Sequence, residues 1–296
     1  MSDNRPKPMP WSEMTIGQMA TLACMLEVNA PKPGNVHRGA DFSNLELNDF
    51  AVSAMAIGPA FEAAGRSRIG RTILTAVRAT RRLADTNTNL GLVLLLAPLA
   101  TVGVKDLNPA GVAQRLADLN EDDAADVYKA IAIATPGGMG TVDDMDVYGP
   151  PPTDLLTAMQ AAADHDLIAR QYVNGCEQVF EAVDFLTDQG TSHLSASDRI
   201  VHAHIRQMAA HPDSLIQRKC GEETARKSSL MAARVLDAGE PIDEEYLQEL
   251  RNLDFWLRAD GHRRNPGTSA DIIGAAIFVA LRKRKWSLPL WTTSGR

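Results

Sequence analysis

Four short polar strings carry the residue types that could hold a phosphate or a sugar hydroxyl: Pro31-Lys32-Pro33-Gly34-Asn35, Thr86-Asn87-Thr88-Asn89-Leu90-Gly91, Pro212-Asp213-Ser214 and Asn265-Pro266-Gly267-Thr268-Ser269-Ala270-Asp271. In the first, Pro31 and Pro33 fix their own φ angles and keep the residues before them out of helix, so Lys32 sits on a stiff turn that Gly34 ends. A cation so held suits an anion, and Asn35 and Arg38 add further donors. In the second, Asn87, Thr88 and Asn89 precede a strongly apolar helix. Their side chains, with the free backbone N–H groups of a helix start, can bind a phosphate or a ribose hydroxyl.

A further loop, Thr135-Pro136-Gly137-Gly138-Met139-Gly140, is followed by Asp143, Asp144 and Asp146. Gly137 and Gly138 allow a ligand to approach the backbone, and Asp146 is the best placed of the three oxygen ligands for Mg²⁺. Asn265 and Thr268 repeat the polar helix start, with Asp271 in the first turn as a second metal candidate. Each string also has a plain structural use as a helix-ending turn, a cap or a linker.

The elements that must position these loops read as helices almost everywhere. Thr15 and Gln18 have the spacing of a capping box before Ile16, Met19, Ala20, Ala23 and Leu26. Phe50 to Phe61 follows Asn48, Ile69 to Leu83 follows Ser67, and Asn108-Pro109 pairs a cap with an N1 proline. From Thr153 to Leu186 the pattern predicts one long helix, or two meeting at Gly175. Ser195 opens a helix through His211, and Glu222 to Leu236, Glu244 to Arg258 and Ala270 to Lys285 complete the set. No alternating strand of five residues stands out, and aromatic residues are 5% of the chain. The expected fold is all-α, a single compact domain over 12–288 with polar loops lining a central pocket, between a disordered tail at 1–11 and a C-terminal tail at 289–296.

With 45% apolar residues, 296 residues can fill a core. A net charge of −7 argues against a nucleic-acid surface, while leaving room for a local phosphate pocket. The longest apolar run, Leu90 to Val102, is interrupted by Pro98 and falls short of the roughly 20 residues a membrane span needs. Cys24, Cys176 and Cys220 lie far apart and form no disulfide or zinc pattern, which fits a reducing, cytoplasmic setting. Expected partners are small molecules, with neither nucleic acid nor membrane, and a homo-oligomer is left open.

In this order and register the strings resemble the triphosphoribosyl-dephospho-CoA synthase family. The resemblance runs from about Glu27 to about Phe278 and rests on Glu27-Val28 before the proline turn, Thr86-Asn87-Thr88, Pro212-Asp213-Ser214, and Asn265-Pro266-Gly267 with Ala270-Asp271. It implies an all-α enzyme that moves the triphosphoribosyl group of ATP to a ribose hydroxyl of dephospho-CoA and releases adenine. Such glycosyl transfer asks for cations around the triphosphate and a carboxylate base at the attacking hydroxyl. Lys32 and Mg²⁺ are the expected charges, with ATP as co-substrate, and Asp41 is the expected base. Asp213 enters the expected substrate site through the resemblance.

The chain departs from the family's pattern in two places. Where the second string typically continues with His, then Lys or Arg, this chain has Asn89 and Leu90, and the acidic string after the proline turn is reduced to Gly39-Ala40-Asp41-Phe42. These losses imply an altered acceptor. His165-Asp166, with His193, His202, His204 and Asp184, keeps open a metal-dependent phosphohydrolase, and a helical binding protein without catalysis is the other alternative.

Overall fold

The computed structural model describes residues 14–37, 39–40, 46–84, 86–135 and 149–286. The tails expected at 1–11 and 289–296 lie outside these residues, as does the loop from 136 to 148. Among the described residues the chain forms fourteen α-helices: α1 (Ile16–Asn29), α2 (Leu47–Glu62), α3 (Ile69–Arg81), α4 (Leu90–Thr101), α5 (Pro109–Ala117), α6 (Glu121–Ala134), α7 (Leu155–Ala162), α8 (Leu167–Asn174), α9 (Glu177–Leu186), α10 (Ala196–Ala210), α11 (Ser214–Cys220), α12 (Glu222–Asp237), α13 (Glu244–Arg258) and α14 (Gly267–Arg282). One extended segment, β1, covers Ala259–His262. The all-α expectation holds. No described helix is long and apolar enough to cross a membrane.

Local signals account for most starts. The Thr15/Gln18 capping box forms, and Asn108 Oδ1 accepts from the Gly111 amide ahead of an N1 proline. Helix α2 begins earlier than the sequence suggested, because Glu46 and Asp49 make the reciprocal cap. The stretch from Thr153 to Leu186 is three helices, where the pattern predicted one or two. Asp166 accepts from the Ile168 and Ala169 amides and so starts α8 afresh. Gly175 and Cys176, both with left-handed φ, separate α8 from α9.

Two helices, α4 and α14, are apolar on nearly every face and lie in the middle of the molecule, as such helices must. They run side by side in the same direction. A Cβ on Gly91 would fall 2.1 Å from Asp271 Oδ2, one on Gly274 would fall 3.0 Å from Leu92, and Arg282 donates to the Leu99 carbonyl near the far ends. Gly91 is therefore what lets the start of α4 approach α14. Helix α1 crosses the same place, with Glu27 Cγ also within 3.4 Å of a Cβ on Gly274, and Tyr172 of α8 donates to the Leu94 carbonyl at 2.9 Å. A second apolar cluster, including Ile205, Met208, Ile216, Tyr246 and Leu257, joins α10 to α13.

The Pro212-Asp213-Ser214 string ties helix starts together. Asp213 Oδ1 caps α11 by accepting from Leu215 and Ile216 at 2.9 and 3.0 Å, while its Oδ2 accepts from the Ser269 amide and hydroxyl at 2.7 and 2.9 Å. Ser214 Oγ accepts from the Leu167 amide and donates to Thr268, so α8, α11 and α14 share one buried knot. Burial raises the Asp213 pKa, and the hydrogen bonds from Ser269, Ile216 and Leu215 oppose that rise. Asp213→Ala strands three backbone amides and the Ser269 hydroxyl, so urea unfolding should show a loss of about 2–4 kcal/mol, with Asp213→Asn costing less.

Candidate active site

The starts of α4, α8 and α14, the C-terminal end of α1 and the body of α11 enclose a cavity of about 1110 Å³. Its wall brings together residues far apart in sequence, among them Glu27, Asn87, Asp166, Lys219, Asn265 and Asp271. A volume of this order holds a nucleotide-sized ligand. Aligned peptide dipoles make the ends of α4 and α14 electropositive where they open onto the space.

Several of the expected site residues line this cavity. Asn35 does so, with its amide hydrogen-bonded to the Pro33 carbonyl and 3.4 Å from His204 Nε2. Burial and nearby Lys32 push the His204 pKa well down, so its neutral ring accepts from Asn35. Asn87 caps α4 through the Leu90 amide at 3.1 Å, Thr88 donates to Ser53 at 2.6 Å, and Asn89 turns its amide to Thr80 at 3.3 Å. Asn265 lines the wall with its Oδ1 buried and without a partner among the described residues, and Thr268 lines it beside Ser214.

Two expected residues are placed elsewhere. Lys32 is fully buried and does not line the cavity: its ammonium bonds the Glu27 carbonyl and lies 2.9 Å from Glu27 Oε1. The proline turn, with Gly34 at φ +72°, aims the lysine inward instead of at a ligand. Asp213 is likewise absent from the wall, because all its acceptor capacity goes to the α11 and α14 starts. Arg38, Asp41, Gly137, Gly138 and Asp146 lie outside the described residues, although Thr135, next to the glycine loop, is in the wall.

Asp271 enters the cavity beside Glu27. Burial, followed by the charges of Glu27 and Asp213, holds its pKa well above the ordinary carboxylate range, against an opposing hydrogen bond from the Leu92 amide. Among the described residues no group of three His, Cys, Asp or Glu side chains could hold a metal. The histidines noted with His165 do not gather: His202 bonds Tyr246 and His204 faces Asn35.

Among the described residues, the cavity's cations come from α11, which the loop strings did not point to. Arg218 and Lys219 both line the wall, and burial together with Arg218 lowers the Lys219 pKa. Glu27 was visible only as the residue before the proline turn. Sequence signals existed for both: a carboxylate at a helix end beside a rigid lysine turn, and a Gln217-Arg218-Lys219 run just after Pro212-Asp213-Ser214.

The family model for CitG, ATP:dephospho-CoA triphosphoribosyl transferase, matches residues 13–289. The chain belongs to the CitG family. It is also similar, with a TM-score of 0.59 and 27% identity, to a crystal structure from Archaeoglobus fulgidus described as a candidate triphosphoribosyl-dephospho-CoA synthase; the match covers 78% of this chain and 97% of that one. No curated protein matches the chain. Within this CitG member, Leu90 is part of the cavity's apolar wall, and Arg218 and Lys219 of α11 line the same cavity.

The buried Asp271 makes stability depend on pH in a defined direction. Its folded-state pKa lies above the unfolded value of about 3.9, so the folded chain binds the extra proton and stability is lost as pH rises through that interval. Asp271→Asn removes the charge. Its melting temperature without ligand should equal or exceed that of the unmodified chain, with the gap widening from about pH 4 upward. Scanning calorimetry across pH checks this, and a gap that narrows toward neutrality would contradict it.

Proposed function

We propose that this chain transfers the triphosphoribosyl group of ATP to a ribose hydroxyl of dephospho-CoA and releases adenine. One observation supports the reading above the others: in a CitG-family chain, basic Arg218 and Lys219 share a single cavity with acidic Glu27 and Asp271. In the reaction the bond from the sugar C1′ to adenine N9 breaks, and adenine leaves with the proton that the acceptor hydroxyl gives up by way of the base. A bond from the acceptor oxygen to C1′ forms, and the hydroxyl proton passes to a carboxylate base.

Each part of that chemistry has a candidate in this chain. Arg218 and Lys219 hold the triphosphate, helped by the α4 and α14 starts. The backbone of Gly137 and Gly138 and the side chain of Arg38 complete the phosphate contacts. Asn35, Asn87, Thr88, Asn89, Asn265 and Thr268 orient sugar and base. The unpartnered Asn265 Oδ1 needs a donor, which a ribose hydroxyl or the adenine amino group offers. Asp41, six residues beyond cavity-lining Asn35, is assigned as base. Lys32 acts one step back, fixing the Glu27 carboxylate.

Asp271 and Glu27 would hold a Mg²⁺ ion. It is usually held by one or two carboxylates together with substrate oxygens, and Asp271 beside Glu27 supplies hard oxygen donors whose ionised forms a cation would favour. Asp146 is the further proposed ligand. When bound, the ion would neutralise phosphate charge. The free cysteines and the nucleotide substrates suit a reducing cytoplasm.

Adenine release from MgATP with dephospho-CoA tests the reaction. Turnover is expected from the unmodified chain, and Lys219→Ala should raise the KM for ATP by about 10- to 100-fold. The Asn89→His, Leu90→Lys variant adds the family's cation. If neither it nor the unmodified chain releases adenine, the proposed reaction is wrong, and turnover indifferent to Lys219→Ala would remove that residue from the phosphate site. Titration calorimetry of MgATP should show weaker binding to Asp271→Asn and Asp146→Asn.

A further inference from the structure

Beyond Lys219 the basic wall continues out of the cavity. The Lys219 carbonyl accepts from the Arg263 guanidinium at 3.1 Å, and the preceding residue, His262, is part of the wall. Arg264 donates to the Trp256 carbonyl at 3.0 Å and its Cζ lies 4.6 Å from the Trp256 ring centre, while Lys227 Nζ approaches the same ring at 5.1 Å. Among the described residues the one carboxylate paired with these arginines is Asp260, 3.6 Å from Arg263 and 4.0 Å from Arg264. One charge at those separations does not neutralise two guanidiniums.

This strip stands out in a chain of net charge −7. An isolated cation on a surface is normally just solvated. Here Arg263 bonds the backbone of cavity-lining Lys219, and the Trp256 indole carries Arg264 and Lys227, which lowers the entropy lost when they grip an anion. A transferase of two nucleotides needs such a second anion site, because the donor's triphosphate already takes the inner wall at Arg218 and Lys219. The acceptor's sugar must reach the reacting carbon, so its remaining phosphates trail toward the mouth.

We propose that Arg263, Arg264 and Lys227, arrayed around Trp256, bind the diphosphate of the acceptor nucleotide. The inference rests on reading the cavity as the transferase site. Arg263 and Lys227 are exposed, so exchanging both leaves the core intact. Titration calorimetry on the full chain would compare the unmodified protein with Arg263→Gln, Lys227→Gln, using dephospho-CoA, NAD⁺ as another diphosphate-bridged nucleotide, 4′-phosphopantetheine, which lacks the diphosphate, and ATP.

The double variant should bind dephospho-CoA roughly tenfold more weakly, with a shallower salt dependence, and should keep its affinity for ATP and its melting curve. Unchanged dephospho-CoA affinity overturns the proposal, as does an equal loss for ATP. If the unmodified chain instead prefers NAD⁺ and the variant loses that preference, the strip stands as a diphosphate site and dephospho-CoA falls as the acceptor. If it binds ATP but no diphosphate-bridged nucleotide, the strip proposal fails while the donor half of the proposed function survives.

Discussion

The contact on which the site depends is the close, same-direction packing of α4 and α14. Parallel neighbours align their dipoles unfavourably, and here both electropositive starts point at one place. Gly91 makes the approach sterically feasible, since any side chain there would collide with Asp271. The apolar bodies of the two helices, buried from Leu92 to Ala100 and from Ile272 to Leu281, supply the burial that opposes the repulsion. What remains at the ends is an anion-attracting floor built into the core.

The polar knot at Asp213 and Ser214 does the complementary task. Buried polar groups are costly unless fully bonded, and this string satisfies the α11 and α14 starts and part of α8 with two side chains. Its value to the enzyme is to fix the positions of Thr268 and Asp271 on α14 and of Arg218 and Lys219 on α11. Asp213, in one of the strings on which the family resemblance rested, spends its bonds inside the fold. Lys32 is a second instance: it fixes Glu27, and Glu27 faces the cavity.

Asp271 illustrates a tension between stability and use. A carboxylate turned away from bulk water next to Glu27 raises the free energy of the ligand-free fold, and a cation or a ligand donor offsets that cost. The strain is local because the helices around it are held by large apolar contacts. It is absorbed where the ligand would be.

The sequence by itself determined the helical class and most of the helices, because capping residues and a 3.6-residue apolar period are local. It also determined that the polar strings flank the most buried helices, and this brought Asn87, Asn265, Thr268 and Asp271 into view. It did not show that Lys32 and Asp213 turn away from the cavity wall, since a residue's type tells what it can bond and not which way its turn aims it. Only the tertiary structure decided that α11 brings Arg218 and Lys219 into one cavity with Glu27 and Asp271, because that meeting joins segments far apart in sequence and depends on how apolar faces stack. The break at Asp166 was not read from the sequence; the structure shows its carboxylate capping α8 through the Ile168 and Ala169 amides.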